Sequence, residues 1–242
     1  MSLARRVSAE FAGTGMLVAA VVGSGIAAAR LSPQDVGLQL LENAIATALA
    51  LGALILTFGP VSGAHFNPVV SVADWWLGRP TRTGLSGTAL GGYVVAQALG
   101  AIAGAILADV MFGAPAVAWS HTVRSGGHLW LAEVVATGGL VLLILALARS
   151  GRTAAAPAAV GAYIGAAYWF TSSTSFANPA VTIGRAFTDT FAGIAPVSVP
   201  GFVAAQLLGG VVALAAIAWW YPGAGRTADA VVVPQSDREA VH

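Results

Sequence analysis

Two short stretches with Asn-Pro near their centre constrain the fold of this chain more than any other feature. They occupy residues 65–71 (HFNPVVS) and 175–182 (SFANPAVT), and each follows a long apolar run. Asn caps free backbone N–H groups and Pro suits the first position of a helix, so each stretch is predicted to open a short helix. At membrane depth, lipid cannot satisfy the positive helix ends or the amides of Asn67 and Asn178. These polar groups are therefore expected to line a cavity or pore.

The composition of the chain indicates a membrane protein. Of the 242 residues, 57% are hydrophobic and 9% are charged, whereas a soluble domain carries about 25% charged residues. The 11 basic residues, all Arg, are balanced by 10 acids, so no basic face suggests nucleic acid as a partner. The absence of cysteine excludes disulfides and thiolate metal sites. The first apolar run is long enough to span a membrane and lacks a convincing cleavage site, so we expect it to be retained.

Six apolar segments approach the roughly 20 residues that a membrane-spanning helix requires. They are predicted at residues 9–29, 38–58, 85–108, 128–148, 156–171 and 199–221, the fifth being the shortest. Two further apolar pieces, 67–77 and 178–187, are too short to span the membrane and are predicted to be re-entrant half-helices. The expected fold is thus an all-α membrane protein with one channel domain over residues 1–222. Residues 223–242 are predicted to form a disordered cytoplasmic tail.

The placement of the arginines predicts the orientation. With both termini in the cytoplasm, eight arginines are cytoplasmic and three are external. The cytoplasmic ones are Arg5, Arg6, Arg79, Arg82, Arg149, Arg152, Arg226 and Arg238, and the external ones are Arg30, Arg124 and Arg185. Because an excess of positive residues marks cytoplasmic loops, this orientation in the membrane is expected.

An internal repeat supports the same number of spans. Residues 9–15 (AEFAGTG) resemble 132–138 (AEVVATG), and 93–100 (YVVAQALG) resemble 202–209 (FVAAQLLG). The two Asn-Pro stretches lie between these landmarks in both halves, about residues 7–112 and 128–221. Since each half holds an odd number of spans, the halves are predicted to cross the membrane in opposite senses as an inverted repeat. The half-helices would then enter from opposite faces and meet near the midplane.

These features resemble the aquaporin family, also called major intrinsic proteins. The resemblance rests on the six spans, the two Asn-Pro half-helices and the run at residues 62–68 (SGAHFNP), and it covers about residues 7–221. It implies a right-handed bundle of six helices around two half-helices, and a homotetramer in the lipid bilayer. It also implies a separate pore in each protomer for small neutral solutes.

Four positions form the narrow filter by this resemblance: Thr47, Ala166, Ser175 and Val181. The family usually has an Arg three residues after the second motif Asn, where this chain has Val181. Water-selective members often carry an aromatic residue and a His at the positions of Thr47 and Ala166. The small, uncharged set resembles the aquaglyceroporin-like branch found among bacterial arsenic-resistance genes. Glycerol-like polyols and metalloid hydroxides such as arsenite therefore join water as candidate solutes.

The two motif asparagines are the main candidates for contact with a solute. Asn67 and Asn178 would each use the side-chain oxygen as a helix cap and direct the NH2 group into the pore. The facing helix N-termini would oppose cations and protons. By the resemblance, His65 lines the cytoplasmic vestibule, and a purely structural buried His is an equal alternative. The first motif ends in Val69 instead of the usual Ala, which is expected to alter the packing between the half-helices.

Three charged residues are expected to be structural. Glu10 and Glu133 occupy repeat-related positions, and we expect each to bond backbone groups of a re-entrant loop in preference to relaying protons. Arg185 lies seven residues after Asn178, and about two helical turns would carry it some 10 Å along the half-helix. It is therefore predicted to hold the following loop and not to replace the absent filter arginine.

Two other function classes compete with a passive channel. A secondary transporter also uses inverted repeats and broken helices, but coupling to ions normally requires acids at the midplane, and the acids here cluster near segment ends. An intramembrane enzyme would need a nucleophile with its base or a metal motif, and none is found. The expectation is a channel without cofactors, for which the sequence does not rank the candidate solutes.

Overall fold

The computed structural model describes residues 1–221 and contains eight α-helices. The helices are α1 (Leu3–Leu31), α2 (Val36–Ser62), α3 (Pro68–Gly78), α4 (Gly87–Met111), α5 (Gly127–Arg149), α6 (Ala156–Phe170), α7 (Pro179–Gly184) and α8 (Val199–Trp220). Short 3-10 turns precede α6 and α8, and a third, Arg185–Phe187, follows α7. No strand occurs between residues 1 and 221, so the all-α prediction is confirmed. The predicted tail lies outside the described residues.

Each of the six predicted spans forms a helix, but the helices differ in reach. α1, α2, α4, α5 and the stretch Pro196–Trp220 are long and apolar enough to cross a membrane. α6 has 15 residues and covers only about 22 Å at 1.5 Å per residue, which is less than the ~30 Å hydrocarbon core. The chain between Thr171 and Asn178, which leads into α7, has no helix.

A close helix crossing holds each half together, and the two crossings match. α1 packs along α4, and α5 packs along α8. At these crossings a Cβ on Gly104 would stand 2.1 Å from the carbonyl oxygen of Gly15, and a Cβ on Gly209 would stand 2.6 Å from that of Val134. Any side chain at Gly104 or Gly209 would therefore force the backbones apart, which explains why small residues recur at both crossings.

The outer surface of the bundle is apolar. Large side chains such as Leu49, Leu99 and Val211 are exposed on three different helices. A soluble protein rarely leaves contiguous apolar surface of this extent in water. Polar side chains such as Glu10 and Glu133 are instead fully buried between helices. This inside-out distribution suits a protein whose outer solvent is lipid.

Candidate pore

The two loops that precede the half-helices share an unusual backbone. Ala64 and Phe66 have φ values of 50° and 50°, and Ser175 and Ala177 have φ values of 50° and 52°. These positions lie three residues and one residue before the motif Asn in each loop. A non-glycine residue in the left-handed region costs about 1–3 kcal/mol and persists only where its surroundings enforce it. Both loops are therefore held by strong contacts.

Glu10 supplies those contacts in the first half. One carboxylate oxygen accepts from the Ser62 hydroxyl at 2.6 Å and the His65 backbone N–H at 3.0 Å. The other accepts from the Phe66 backbone N–H at 2.7 Å and the Gln97 amide at 2.8 Å. All four donors belong to the loop or to the helices beside it, so the carboxylate acts as a fixed anchor.

Glu133 performs the same task in the second half. Its oxygens accept from the backbone N–H groups of Phe176 and Ala177 at 2.9 and 2.8 Å, and from the Gln206 amide at 2.6 Å. The expectation that Glu10 and Glu133 hold the re-entrant loops is confirmed. Because these bonds occupy the carboxylates, a proton relay through them is disfavoured.

The motif asparagines cap the half-helices as predicted. The side-chain oxygen of Asn67 accepts from the Val69 N–H at 2.9 Å. The oxygen of Asn178 accepts from the N–H groups of Ala180 and Val181 at 2.9 and 3.3 Å. Pro68 and Pro179 occupy the first helical positions, so each half-helix begins where the sequence predicted.

The amide nitrogens join the two halves, which the sequence did not reveal. Nδ2 of Asn67 donates to the Ala177 carbonyl at 2.8 Å, and Nδ2 of Asn178 donates to the Phe66 carbonyl at 2.7 Å. One of the two hydrogens on each amide is therefore used between loops. The other hydrogen of each amide remains available for the predicted hydrogen bond to a solute.

A narrow cavity of about 60 Å³ runs past both asparagines, with room for roughly four to six waters. It brings together six of the seven predicted site residues. These are Thr47, His65, Asn67, Ser175, Asn178 and Val181. Much of the remaining wall is aliphatic and comes from the long helices, including Leu17, Val21, Leu51, Ile55, Leu140 and Ile144. Polar loops thus face an apolar helical wall.

Ala166 is the predicted site residue that the structure places elsewhere. It is exposed on the outer side of α6, whereas Val160, Ile164 and Tyr168 of that helix line the cavity. The lining residues of α6 are four positions apart and share one helix face. Ala166 is two positions from Ile164 and from Tyr168, which is a rotation of about 200° around the helix axis, so it lies on the opposite face. The structure therefore does not bring Ala166 to this cavity. Instead, the Tyr168 hydroxyl lies 3.2 Å from the Thr47 hydroxyl oxygen, so the cavity includes an aromatic residue.

Two polar atoms in the cavity lining have no protein partner. Nε2 of His65 and the hydroxyl of Ser175 are buried and make no hydrogen bond with residues 1–221. The other ring nitrogen of His65 lies 3.1 Å from the Ser71 hydroxyl, and its ring contacts the Tyr93 ring edge to face. Both free groups face the path between the loops, where a hydroxylated molecule could satisfy them.

Arg185 is a cavity residue that the sequence analysis assigned elsewhere. Its Nε donates to the Ala192 carbonyl, which confirms the predicted role of holding the loop. α7 ends at Gly184, however, and Arg185 folds back so that its guanidinium lies 3.4 Å from the centre of the Phe176 ring. It lines the cavity together with Val181. Val181 and Arg185 are four residues apart, a spacing that places two residues on the same helix face. The spacing from Val181, in place of that from Asn178, would have indicated that Arg185 lines the cavity.

The apolar helices enclose a narrow cavity beside two capped half-helices. This arrangement defines a helical membrane channel built as an inverted repeat. The chain belongs to the major intrinsic protein family, whose sequence model matches residues 1–175. It is 54% identical over 217 residues to aquaglyceroporin AqpS of Rhizobium meliloti, with 90% of each chain covered. It is 31% identical over 248 residues to probable aquaporin AqpM of Archaeoglobus fulgidus, covering 91% and 97% of the two chains.

A solved structure has the same fold. The X-ray structure of the aquaglyceroporin from Plasmodium falciparum aligns with a TM-score of 0.64 over 89% of this chain and 96% of the other. The two sequences are 22% identical, so this match supports the fold alone. The family consists of channels and not enzymes, in agreement with the expected function class.

Proposed function

We propose that this protein is a passive channel with a widened filter for small neutral hydroxylated solutes. The proposed solutes are glycerol-like polyols, metalloid hydroxides such as arsenous acid, and water. The observation that carries the proposal is the two-sided cavity, in which loop donors and acceptors face an aliphatic wall. A polyol presents hydroxyls along one edge and C–H groups along the other, and so matches both sides at once.

The polar side offers several hydrogen-bond partners. The free N–H groups of Asn67 and Asn178, the hydroxyl of Ser175 and Nε2 of His65 can each exchange hydrogen bonds with a passing hydroxyl. Because these partners are separate and individually weak, a solute can enter without being trapped, as conduction requires.

Val181 indicates a wide filter. This residue stands three positions after Asn178, where the family pattern has Arg, and it lines the cavity with a short apolar side chain. Val181 provides no fixed hydrogen-bond donor that would replace the hydration of a water molecule passing in single file. The relatives agree with a polyol solute, because they include the glycerol uptake facilitator of Pseudomonas aeruginosa, which is 30% identical over 231 residues.

Exclusion of ions is expected in spite of this substitution. The N-termini of α3 and α7 face the cavity with their caps, and each contributes roughly half a positive charge. Arg185 adds a full positive charge to the lining. A cation or proton would therefore meet repulsion at the Asn pair and again beside Arg185.

The alternative of a coupled secondary transporter is less well supported. Coupling requires an acid that binds and releases an ion near the midplane, but Glu10 and Glu133 are occupied as loop anchors. We further propose that the channel is a homotetramer in a bacterial inner membrane with both termini in the cytoplasm. The apolar outer surface supports the membrane location, the arginine distribution supports the orientation, and a bacterial relative, AqpS, supports the bacterial membrane. The homotetramer is what the resemblance to the aquaporin family implies.

Stopped-flow light scattering on proteoliposomes tests the proposed function. Purified protein is reconstituted and challenged with osmotic gradients of glycerol, urea and arsenous acid, and with an impermeant sugar to measure water flux. We expect glycerol and arsenous acid to enter faster than in empty vesicles, with little proton or sodium current. Solute flux equal to that of empty vesicles, or a large proton conductance, would refute the proposal.

A further inference from the structure

A second cavity, on the side of the channel that carries the loop between α4 and α5, combines two arginines. This cavity, the vestibule, has a volume of about 170 Å³ and is lined by Val36, Leu40, Asn43, Arg124, Thr174, Arg185 and Phe191. Among residues 1–221, Arg185 is the residue that it shares with the narrow cavity. The vestibule therefore adjoins the narrow cavity at Arg185.

The two guanidinium groups are held against one aromatic ring. Arg185 lies 3.4 Å and Arg124 5.3 Å from the centre of the Phe176 ring. Nε of Arg124 donates to the Gly193 carbonyl at 2.9 Å, while Nε of Arg185 donates to Ala192. These bonds, and a longer one of 3.4 Å from an Arg124 amino group to the Phe191 carbonyl, use backbone carbonyls, which carry no net charge. Among residues 1–221, the single negative charge of Glu133 acts on both guanidinium groups, so the pair keeps a net positive charge at the vestibule.

Much of the donor capacity of the pair is unused. Arg185 is 3% exposed, and its two terminal amino groups have no acceptor within residues 1–221. Neither arginine forms an ion pair with a described carboxylate. The carboxylate of Glu133 is committed to the loop N–H groups and to Gln206. A buried guanidinium with free donors is costly unless a ligand or water satisfies it.

We propose that the vestibule is a binding site for a small oxyanion, and that an anion bound there obstructs the entry of neutral solutes. Planar guanidinium donors match the oxygens of a phosphate-like or carboxylate group in a bidentate manner. Two such groups on one ring provide a rigid, positively charged cradle. Because Arg185 lies between the vestibule and the filter, a bound anion stands in the solute path.

The inhibition experiment uses inorganic phosphate as the probe and rests on the proposed function. Glycerol flux into proteoliposomes is measured with phosphate on both sides, so that orientation does not matter, and with chloride at equal ionic strength as the reference. We expect phosphate to slow glycerol entry in the wild type. Arg185→Gln and Arg124→Gln should each weaken this inhibition by about tenfold or more relative to their own uninhibited flux.

Arg30→Gln is the matched control, because Arg30 is exposed, contacts Phe112 and does not line the vestibule. Its inhibition by phosphate should equal that of the wild type. If a Gln variant fails to assemble, Arg185→Lys and Arg124→Lys keep the charge but lose the bidentate donors, and they should also bind phosphate more weakly.

Calorimetric titration of the detergent-purified protein with phosphate gives a readout that does not depend on flux. We expect saturable binding that is lost in Arg185→Gln and retained in Arg30→Gln. Wild-type protein without phosphate binding, or inhibition that survives in both vestibule variants, would overturn this inference. If glycerol flux is normal and phosphate has no effect on it, the anion site alone is refuted. If glycerol flux is absent, the proposed function is refuted, and the calorimetric titration decides whether the anion site exists.

Discussion

The two halves of the channel anchor their re-entrant loops with the same side chains. Glu10 and Glu133 bind the loop backbones, and each is bound in turn by a glutamine from the last helix of its half, Gln97 or Gln206. The halves differ seven residues after the motif Asn, where the first has Asp74 and the second has Arg185.

These two charged residues have related structural roles. Asp74 accepts from the Leu85 N–H at 2.8 Å, and Arg185 donates to the Ala192 carbonyl, so each fixes the chain that follows its half-helix. Arg185 alone of the two also lines the pore path. The loop anchors that the two halves share thus define the pore. Arg185, which stands where the first half has Asp74, adds positive charge at one end of it.

Removal of a loop anchor should have the largest effect. Glu10→Ala removes four hydrogen bonds and Glu133→Ala removes three. At these buried sites each substitution should cost roughly 3 kcal/mol or more. We expect little assembled protein by size-exclusion chromatography, with Glu10→Ala the worse of the two. Wild-type thermal stability of either variant would show that the anchors are dispensable.

Val181→Arg restores the charge that the family pattern has at this position and should change selectivity strongly. The new guanidinium would lie one turn from Arg185 on the same face and narrow the filter. We expect the protein to assemble, glycerol and arsenous acid flux to fall on the order of tenfold, and water flux to fall less. Stopped-flow measurement of the three fluxes checks this.

Val181→Leu controls for volume without charge and should reduce glycerol flux less than Val181→Arg does. An unchanged ratio of glycerol to water flux in Val181→Arg would mean that residue 181 is not at the constriction.

The motif asparagines should show an intermediate effect that compares the halves directly. Asn67→Ala and Asn178→Ala each remove a helix cap and a bond between the loops, at about 1 kcal/mol for the cap and about 1 kcal/mol for the bond. Asn178 caps two N–H groups and Asn67 one, so Asn178→Ala should be the less stable. Thermal unfolding and glycerol flux, which should decrease in both, provide the measurement.

Asn178→Asp separates the two functions of the amide, because it keeps the capping oxygen and removes the N–H donors. Its glycerol flux should resemble that of Asn178→Ala more than that of the wild type. Wild-type flux in an assembled Asn178→Ala protein would rule out a pore role for this residue.

The smallest effect is expected at a contact outside the membrane-spanning helices. Asp189 accepts from the backbone N–H of His121 at 2.9 Å and lies 2.8 Å from its ring nitrogen. These contacts, the backbone bond foremost, lower the pKa of Asp189 below its ordinary value of 3.8. A lowered folded-state pKa contributes stability above the ordinary pKa, and this contribution is lost as the pH falls through the lowered one.

Asp189→Asn should therefore be slightly less stable than the wild type near neutral pH. The difference should begin to shrink as the pH falls below about 3.8 and should vanish once the pH is below the lowered pKa of Asp189. Thermal unfolding at several pH values measures it. His121→Ala keeps the backbone N–H and should retain most of the pH dependence. A difference that grows on acidification would contradict the assignment.

Periodicity and local motifs determined much of this protein without any structure. Length and hydropathy located the helices, and Asn-Pro defined where α3 and α7 begin, because capping depends on neighbouring residues alone. The repeat also paired Glu10 with Glu133 and predicted their contact with the loop backbone, since a carboxylate at membrane depth needs such partners. Six of the seven pore residues predicted from these motifs and from the family resemblance line the narrow cavity.

The tertiary structure decided the rest, for reasons of distance and rotation. The bonds from Asn67 to Ala177 and from Asn178 to Phe66 join residues 110 and 112 positions apart, which no local pattern encodes. Ala166 faces outward because the rotational phase of a helix is set by its neighbours, and an error of two residues reverses the face. Arg185 faces the pore because α7 ends at Gly184 and the ring of Phe176 receives its guanidinium. Helix termination and aromatic stacking of this kind depend on packing between distant segments, and packing exists only in the folded chain.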